Sequence, residues 1–386
     1  MMTIYYSVEE ECWYHRNPQH CYTWGVQSIE LPFRTDHSSI QAHLRQRNDS
    51  VGPIIGLLTS KRMTSLLQKK RPALFEKLHH YLHKHGGLLL LFSPENLYKS
   101  YVYGYYFDAH SDTWIQAMCP LPNLIYNRFP NRHTEKETIS PMLKKLVESC
   151  NIPFFNPHFF SKWDTYTLLS MNNQLRPYLP ATRVLKEYQD IKDMLTTHTR
   201  VYMKPLNSSK GKGIFTLTLL KNNQIEYEDE SHKKVYEVLE NMPLPTSAYL
   251  VQEAIHTDCL KAHRYDLRLL VHRYEDTYTL SGIGVRQSKR QPITTHTLNG
   301  GVIAPFQEIK DHINLPLLED LAILCGKQLH QHFGFVGEFS MDIGKTPNDH
   351  YYIFEINAKP MIFDETHIQE KGMENLCTLF YKLTNF

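Results

Sequence analysis

Residues 333–360, FGFVGEFSMDIGKTPNDHYYIFEINAKP, constrain this chain more than any other stretch. Two apolar runs flank GKTPND, whose Gly, Pro and Asn are turn formers, so the pattern predicts a β-hairpin. Strand side chains alternate between faces, which puts Glu338, Ser340 and Asp342 on one face and Phe339, Met341 and Ile343 on the other. On the second strand Ile353, Glu355 and Asn357 alternate with Phe354 and Ile356. Asp342 and Glu355 share a face only if the ladder pairs residues whose numbers sum to an odd value. Two carboxylates and an amide oxygen on one sheet surface suit Mg²⁺, a hard cation that takes few protein ligands and leaves room for phosphate oxygens and water. A solvated polar face would explain any one of these acids. Three such residues in one hairpin that ends in EINAKP make Asp342, Glu355 and Asn357 the candidate metal ligands.

Upstream, residues 200–219, RVYMKPLNSSKGKGIFTLTL, read as strand, loop and strand. The loop does not open a helix and lacks the G-x-x-x-x-G-K-[ST] spacing, so it is not a P-loop. Gly211 and Gly213 would let the backbone fold onto phosphates, and Ser208, Ser209 and Lys210 would offer donors. An exposed basic hairpin explains the loop equally well, but not a Lys204 placed inside a strand between Met203 and Pro205. AYLVQEAI at 248–255 reads as an apolar strand ending at Gln252 and Glu253, a candidate adenine edge.

Ahead of these segments, VGPIIGLLTS at 51–60, an amphipathic helix through ALFEKLHHYLHKHGG, and LLLLFS follow a β-α-β order whose simplest solution is a parallel sheet. PLPNLIYNRFPNR adds a strand and a Pro-bounded turn, and ISPMLKKLVESC a helix. Beyond residue 151 the chain is strand-rich with long hairpins, and LPLLEDLAILCGKQLHQHF is a helix leading into the opening segment. The expected fold class is α/β (α+β). Residues 1–48 are expected to form an N-terminal extension or small module without sustained periodicity, 49–150 an α/β domain, and 151–386 a larger domain; the family resemblance given below implies within it a nucleotide-clamping lobe at about 165–250 and a metal and substrate lobe at about 251–386.

Composition narrows the partners. Forty-two Lys and Arg against forty Asp and Glu leave a charge of +2, too little bias for a nucleic-acid groove or an anionic membrane. Seven scattered Cys without a C-x-x-C pair suggest neither a disulfide framework nor a zinc site, which fits a reducing cytoplasm. MMTIYYSVEEEC lacks the order of a signal peptide, and LLLLF is far too short to span a bilayer. No Ser-His-Asp or Cys-His arrangement stands out.

Taken in order, GLLTS, LLLFSP, PLPNLIYNRFPNR, FFNPHFFSKWDTYTLL, YMKPLNSSKGKGI, YLVQEAI, YDLRLLV, GIGVRQS, NGG, GEFSMD and FEINAKP resemble the ATP-grasp superfamily, most closely the YheC/YheD-like proteins associated with endospore coats. The resemblance runs from about Gly56 to Leu383. It implies an ATP-grasp fold preceded by a pre-ATP-grasp βαβ domain, with ATP and one or two Mg²⁺ ions (Mn²⁺ able to substitute) as cofactors. Lys162 in SKW and Lys204 in MKP would contact ATP phosphates, 208–213 would be the mobile lid, and Gln252, Glu253 and Ala254 would border adenine. Asp342, Glu355 and Asn357 would hold the metal. Asp266 would orient Arg268 towards the transferred phosphate, with Arg286 as a second cation. His296 and Asn299, in HTLNGG, stand where the family pattern has Asn and Arg, and are retained as site residues. The implied activity is a carboxylate-amine ligase acting through an acyl phosphate on an amino acid, peptide or protein end, with spore coat proteins as partners. A small-molecule kinase and a non-catalytic ATP-binding coat protein remain open, because phosphate-side motifs do not separate them.

Overall fold

The computed structural model describes residues 1–67, 69, 72–206, 212–243, 245, 248–288 and 301–386. They form two compact units, one comprising Met1–Phe159, Phe335–Gly337 and Met373–Phe386, the other Phe160–Gly334 and Glu338–Gly372.

The first unit contains two six-stranded sheets. Ile54–Leu58, fully buried, lies parallel to both Leu88–Phe92 and Leu124–Asn127, as the β-α-β order implies. The connecting helix Ala73–His85 buries Phe75, Leu78, His79 and Leu82 on one face and stops at Gly86, whose φ of +84° lets the chain turn out of the helix. The hairpin Tyr101–Asp108 and Thr113–Pro120 extends the sheet on one side and Phe154–Phe155 on the other. Residues 2–52 supply the second sheet through six strands of three to seven residues. Strands this short show little alternation in sequence. They are held by aromatic packing, with Trp13 meeting Tyr6 at 5.0 Å and Tyr106 edge-on at 5.3 Å, so both sheets of this unit share one core.

The second unit carries the site. Its first sheet is antiparallel, in the order Thr182–Val184, Tyr249–Glu253, Arg200–Pro205, Phe215–Leu219, Ile225–Glu228, Lys233–Tyr236. Helix Tyr188–His198 covers one face with Ile191, Met194 and Leu195, and its start is fixed by a reciprocal capping box between Glu187 and Asp190. The second sheet runs Gly301–Ala304, Thr277–Ser288, His263–Tyr274, Glu338–Lys345, Tyr351–Asn357. Helix Leu315–Phe333, capped by Asn314, packs on it so closely that a Cβ on Gly326 would run into the Tyr278 ring. On the opposite face, Phe363, Ile368 and Leu270 form a small apolar cluster at the start of helix Thr366–Thr384. Among the described residues no helix is long and apolar enough to cross a membrane.

Candidate active site

On the Arg200–Pro205 strand, Val201, Met203 and Pro205 are buried, while Arg200, Tyr202 and Lys204 take the alternate face. This explains the strand lysine: alternation turns it away from the core. Lys204 Nζ donates to Gln252 Oε1 at 2.5 Å, and Gln252 Nε2 donates to Thr182 Oγ1 at 2.9 Å, so a chain of side chains crosses three strands. Burial pushes the Lys204 ammonium down to about 8; Glu355 pulls the other way, Lys162 adds to the depression, and Asp266 and Asp342 oppose it. Lys162, in the first turn of helix Lys162–Ser170 behind its Ser161 cap, places Nζ 3.5 Å from the Pro205 carbonyl and 3.7 Å from Glu355 Oε1. The two lysines, Thr182 and Gln252 give polar walls to an open cleft. Leu169, Leu250, Phe354 and Ile356 supply its apolar walls, the mixture that suits a flat base joined to a charged tail.

The acidic hairpin forms. Asp342 lies directly opposite Glu355, and Ser340 opposite Asn357, so this part of the ladder has the odd-sum register that puts the acids on one face. The register breaks between Asp342 and Ile343, and beyond the break Ile343 pairs with Ile353. Strict alternation had placed Ile353 on the face of Glu355; the bulge instead gives it a partner from the apolar face and leaves it 4% exposed, with Phe354 lining the cleft. Glu338 is not part of the acidic face's open end. It is buried beside His272, its Oε2 3.5 Å from Nε2, while His272 Nδ1 and Ser281 Oγ lie 2.6 Å apart. Among the described residues no three His, Cys, Asp or Glu side chains converge on one point, so a cation here would rest on Asp342, Glu355 and the Asn357 amide, with the remaining positions left to ligand oxygens.

The ladder continues past the hairpin. Asp342 pairs with Arg268, and Arg268 with Gly284, so Glu355, Asp342, Arg268 and Gly284 form one row across four strands, all on the same face. Asp266 and Arg286 are cross-strand partners in the next row on that face. Asp266 is therefore placed beside both arginines. Arg268 is 4% exposed, stands 5.3 Å over the Phe363 ring, and its Nε has no hydrogen-bond partner among the described residues. Burial, and after it the charge of Arg268, lowers the Arg286 guanidinium, whereas Asp342, Asp364 and Glu365 raise it. Ser340 Oγ, fully buried in the adjoining row, likewise lacks a partner among the described residues.

Of the residues singled out from the sequence, Lys162, Lys204, Gln252 and Glu355 line the cleft; Asp266, Arg268, Arg286, Asp342 and Asn357 occupy the neighbouring sheet face. Glu253 and Ala254 follow Gln252 in the chain and are tied to neighbouring segments. Their N–H groups donate to the Ala181 and Arg200 carbonyls, and the Glu253 carboxylate accepts from Ala181 N at 3.1 Å with His198 3.4 Å away. Gly213, with φ +74°, sits against Pro205, its carbonyl accepting from the Tyr249 hydroxyl at 2.9 Å. Ser208, Ser209, Lys210, Gly211, His296 and Asn299 lie outside the described residues. The structure adds Thr182, Phe354, Ser340 and Glu365, together with Arg264, which donates to the Tyr202 hydroxyl at 2.6 Å. A signal for Glu365 was present in GIG at 282–284: two glycines on one strand face mark close approach by another segment.

The sequence model of YheC/D like ATP-grasp proteins matches residues 151–382. The endospore coat-associated protein YheD of Bacillus subtilis (strain 168) is 28% identical over 335 residues, 80% of this chain and 73% of that protein. The endospore coat-associated protein YheC of the same organism is 23% identical over 287 residues, 69% of this chain and 78% of that protein. Among solved structures, the VanG D-Ala:D-Ser ligase from Enterococcus faecalis is similar with a TM-score of 0.49 at 11% identity, covering 85% of this chain and 99% of that one.

Proposed function

Because the chain belongs to the YheC/D-like ATP-grasp family, we propose that it is an ATP- and Mg²⁺-dependent ligase that joins a carboxylate to an amine through an acyl phosphate. The observation that carries this reading is the row Glu355, Asp342, Arg268, which sets two metal-type acids beside a buried cation whose Nε has no partner among the described residues, all on one sheet face. Lys204 and Lys162 would bind ATP phosphates, and Gln252 would border the base with Leu250 and Ile356. Asp342, Glu355 and Asn357 would hold Mg²⁺, whose role is to neutralise charge on the phosphate oxygens. Arg268 and Arg286 would stabilise the charge on the phosphoryl group as it moves, since phosphoryl transfer depends mainly on alignment and electrostatics.

The substrate carboxylate attacks the γ-phosphorus, the bond to the β–γ bridging oxygen breaks, and ADP leaves with that electron pair. An uncharged amine then attacks the acyl carbon, the bond to the phosphate oxygen breaks, and phosphate departs with that electron pair and takes up the proton the nitrogen loses. No protein nucleophile is needed. The substrates would be an amino acid, a peptide or a protein end. By analogy with relatives named endospore coat-associated, the protein would act in the cytoplasm of a sporulating cell, with coat proteins as partners.

The test is a screen of amino acids and short peptides for carboxylate-stimulated ADP release, with hydroxylamine present to trap the acyl phosphate as a hydroxamate. ADP with hydroxamate is expected. AMP with pyrophosphate would exclude the mechanism, and ADP with a stable phosphorylated hydroxyl would establish a kinase instead.

A further inference from the structure

Tyr351–Asn357 is the edge strand of its sheet among the described residues, so each of its residues has a cross-strand neighbour on one side only. Glu355 faces Asp342 there, and Lys162 lies 3.7 Å from it as a second charged neighbour. Asp342 has Glu355 on one side and Arg268 on the other. Asn357, half-buried, has Ser340 as its one cross-strand neighbour. Ser340 is 0% exposed, and its Oγ has no hydrogen-bond partner among the described residues. On its inner side stands Leu270, which packs with Phe363 and Ile368.

A buried hydroxyl without a partner is destabilising, and an alanine would fill this position without that cost. Full burial also keeps the hydroxyl from touching a ligand, so whatever it does is done through a neighbouring side chain. Leu270 offers no polar atom. Glu338 and Asp342, each two residues away on the same face, are flanked by neighbours of their own, His272 for the first and Glu355 and Arg268 for the second. Asn357 remains. Directly opposed residues have Cβ atoms about 4.5–5.5 Å apart, within reach of a hydrogen bond between a serine hydroxyl and an asparagine amide. The need is on the asparagine's side. A carboxylate presents oxygen at both ends, whereas an amide presents oxygen at one and NH₂ at the other, and only oxygen serves a hard cation. Of the three residues assigned to the metal, Asn357 alone can be turned the wrong way round.

We propose that Ser340 is a positioning residue for the metal site: its Oγ accepts a hydrogen bond from Asn357 Nδ2 and so holds the amide with Oδ1 towards the cation. The hydroxyl itself touches neither ion nor substrate. This rests on the reading of Asp342, Glu355 and Asn357 as the Mg²⁺ ligands, and it adds what fixes the one uncharged ligand of the set. Hydrogen-bond partners that orient a ligand from behind typically change metal affinity by about ten- to a hundredfold.

The experiment is a double-mutant cycle read by metal binding rather than by turnover. Mn²⁺ is titrated into the protein with a non-hydrolysable ATP analogue present, and the protein-bound ion is followed by electron paramagnetic resonance in the wild type, Ser340→Ala, Asn357→Ala and the double variant. Ser340→Ala is expected to weaken Mn²⁺ binding by on the order of tenfold. With Asn357 already replaced by alanine, the same change should have less than about a twofold effect, because no amide is left to orient. The unfolding temperature of Ser340→Ala should be unchanged or higher, since an unpaired buried hydroxyl has been removed. An equal effect in both backgrounds, a Ser340→Ala affinity equal to the wild type's while Asn357→Ala weakens binding, or a large fall in the unfolding temperature of Ser340→Ala overturns the assignment and leaves the metal set standing. Mn²⁺ binding untouched by Asn357→Ala removes Asn357 from that set and the role of Ser340 with it, and absence of Mn²⁺ binding in the wild type overturns both readings.

Discussion

Lys204 Nζ donates to Gln252 Oε1 at 2.5 Å, and this bond links two neighbouring strands along the polar wall of the cleft. The same lysine is held down at about 8, chiefly by burial. Its folded value is depressed, so between about pH 8 and the unfolded value of 10.5 the folded state binds fewer protons than the unfolded one, and stability rises with pH through that window. Below it, the buried charge opposes folding. Lys204→Met should therefore raise the thermal stability of the nucleotide-free protein at pH 7, by on the order of 1 kcal/mol, while weakening ATP binding by about 1.5–3 kcal/mol. Calorimetry near pH 8 in buffers of different ionisation enthalpy should show proton uptake on ATP binding in the wild type and less in the variant. Equal ATP affinity in the two would make Lys204 an ordinary strand residue.

Glu355 touches both sides of the site, facing Asp342 across the ladder and lying 3.7 Å from Lys162. Glu355→Gln keeps the volume and removes the charge. Mg²⁺-dependent ATP binding should fall by roughly tenfold or more, with little change in unfolding temperature, because the pair is partly exposed and such pairs contribute little to stability. Titration of ATP with and without Mg²⁺ reads the effect directly; a Mg²⁺ dependence equal to that of the wild type would remove Glu355 from the metal set.

Gly344 gives a steric test of the cleft. A Cβ there would overlap the Phe354 ring and come within 2.7 Å of Thr257 Cγ2. Phe354 lines the cleft, so Gly344→Ala should cost about 1–3 kcal/mol of stability by overpacking and weaken nucleotide binding as the ring moves. Denaturant unfolding and ATP titration on one sample check both; full stability with unchanged affinity would show that the ring has room to shift.

His79 should make the first unit acid-sensitive. It is 1% exposed, neither ring nitrogen has a partner among the described residues, and Tyr106, Phe107 and Trp114 surround it. Burial, with His83 and His80 adding to it, lowers its value to about 3. A depressed histidine contributes stability that is fully present above about pH 6.5 and declines as pH falls towards 3, by up to about 1.4 kcal/mol per pH unit. His79→Leu should flatten the fall in stability between pH 6.5 and 4.5, measured by chemical unfolding at a series of pH values. An unchanged slope would assign acid sensitivity to other groups.

Reading the strand faces from sequence worked where one strand carries its own information. The shared face of Asp342, Glu355 and Asn357 was legible because alternation is local, and the face of Lys204 because a charge between two core residues in a strand must turn away from the core. The β-α-β segment was legible for a similar reason, its uniformly apolar strands and Gly-terminated helix being marked in the chain itself. The six short strands of residues 2–52 were not, since four of them have only three residues and give no periodicity, and their aromatic contacts reach to Tyr106.

What the sequence alone determined, then, were the faces: which residues of each strand point together, and which chemical groups each face offers. The neighbours came only with the tertiary structure. Register between strands far apart in the chain depends on turns, bulges and packing that no single segment encodes, so the row from Glu355 through Asp342 and Arg268 to Gly284 exists only once four strands align. The break after Asp342 moved Ile353 to the apolar side, and the placing of Glu365 over Gly284 required a loop to fold back across a strand some eighty residues earlier in the chain. Charge chemistry depends on distances of a few ångströms, and those distances are set by packing.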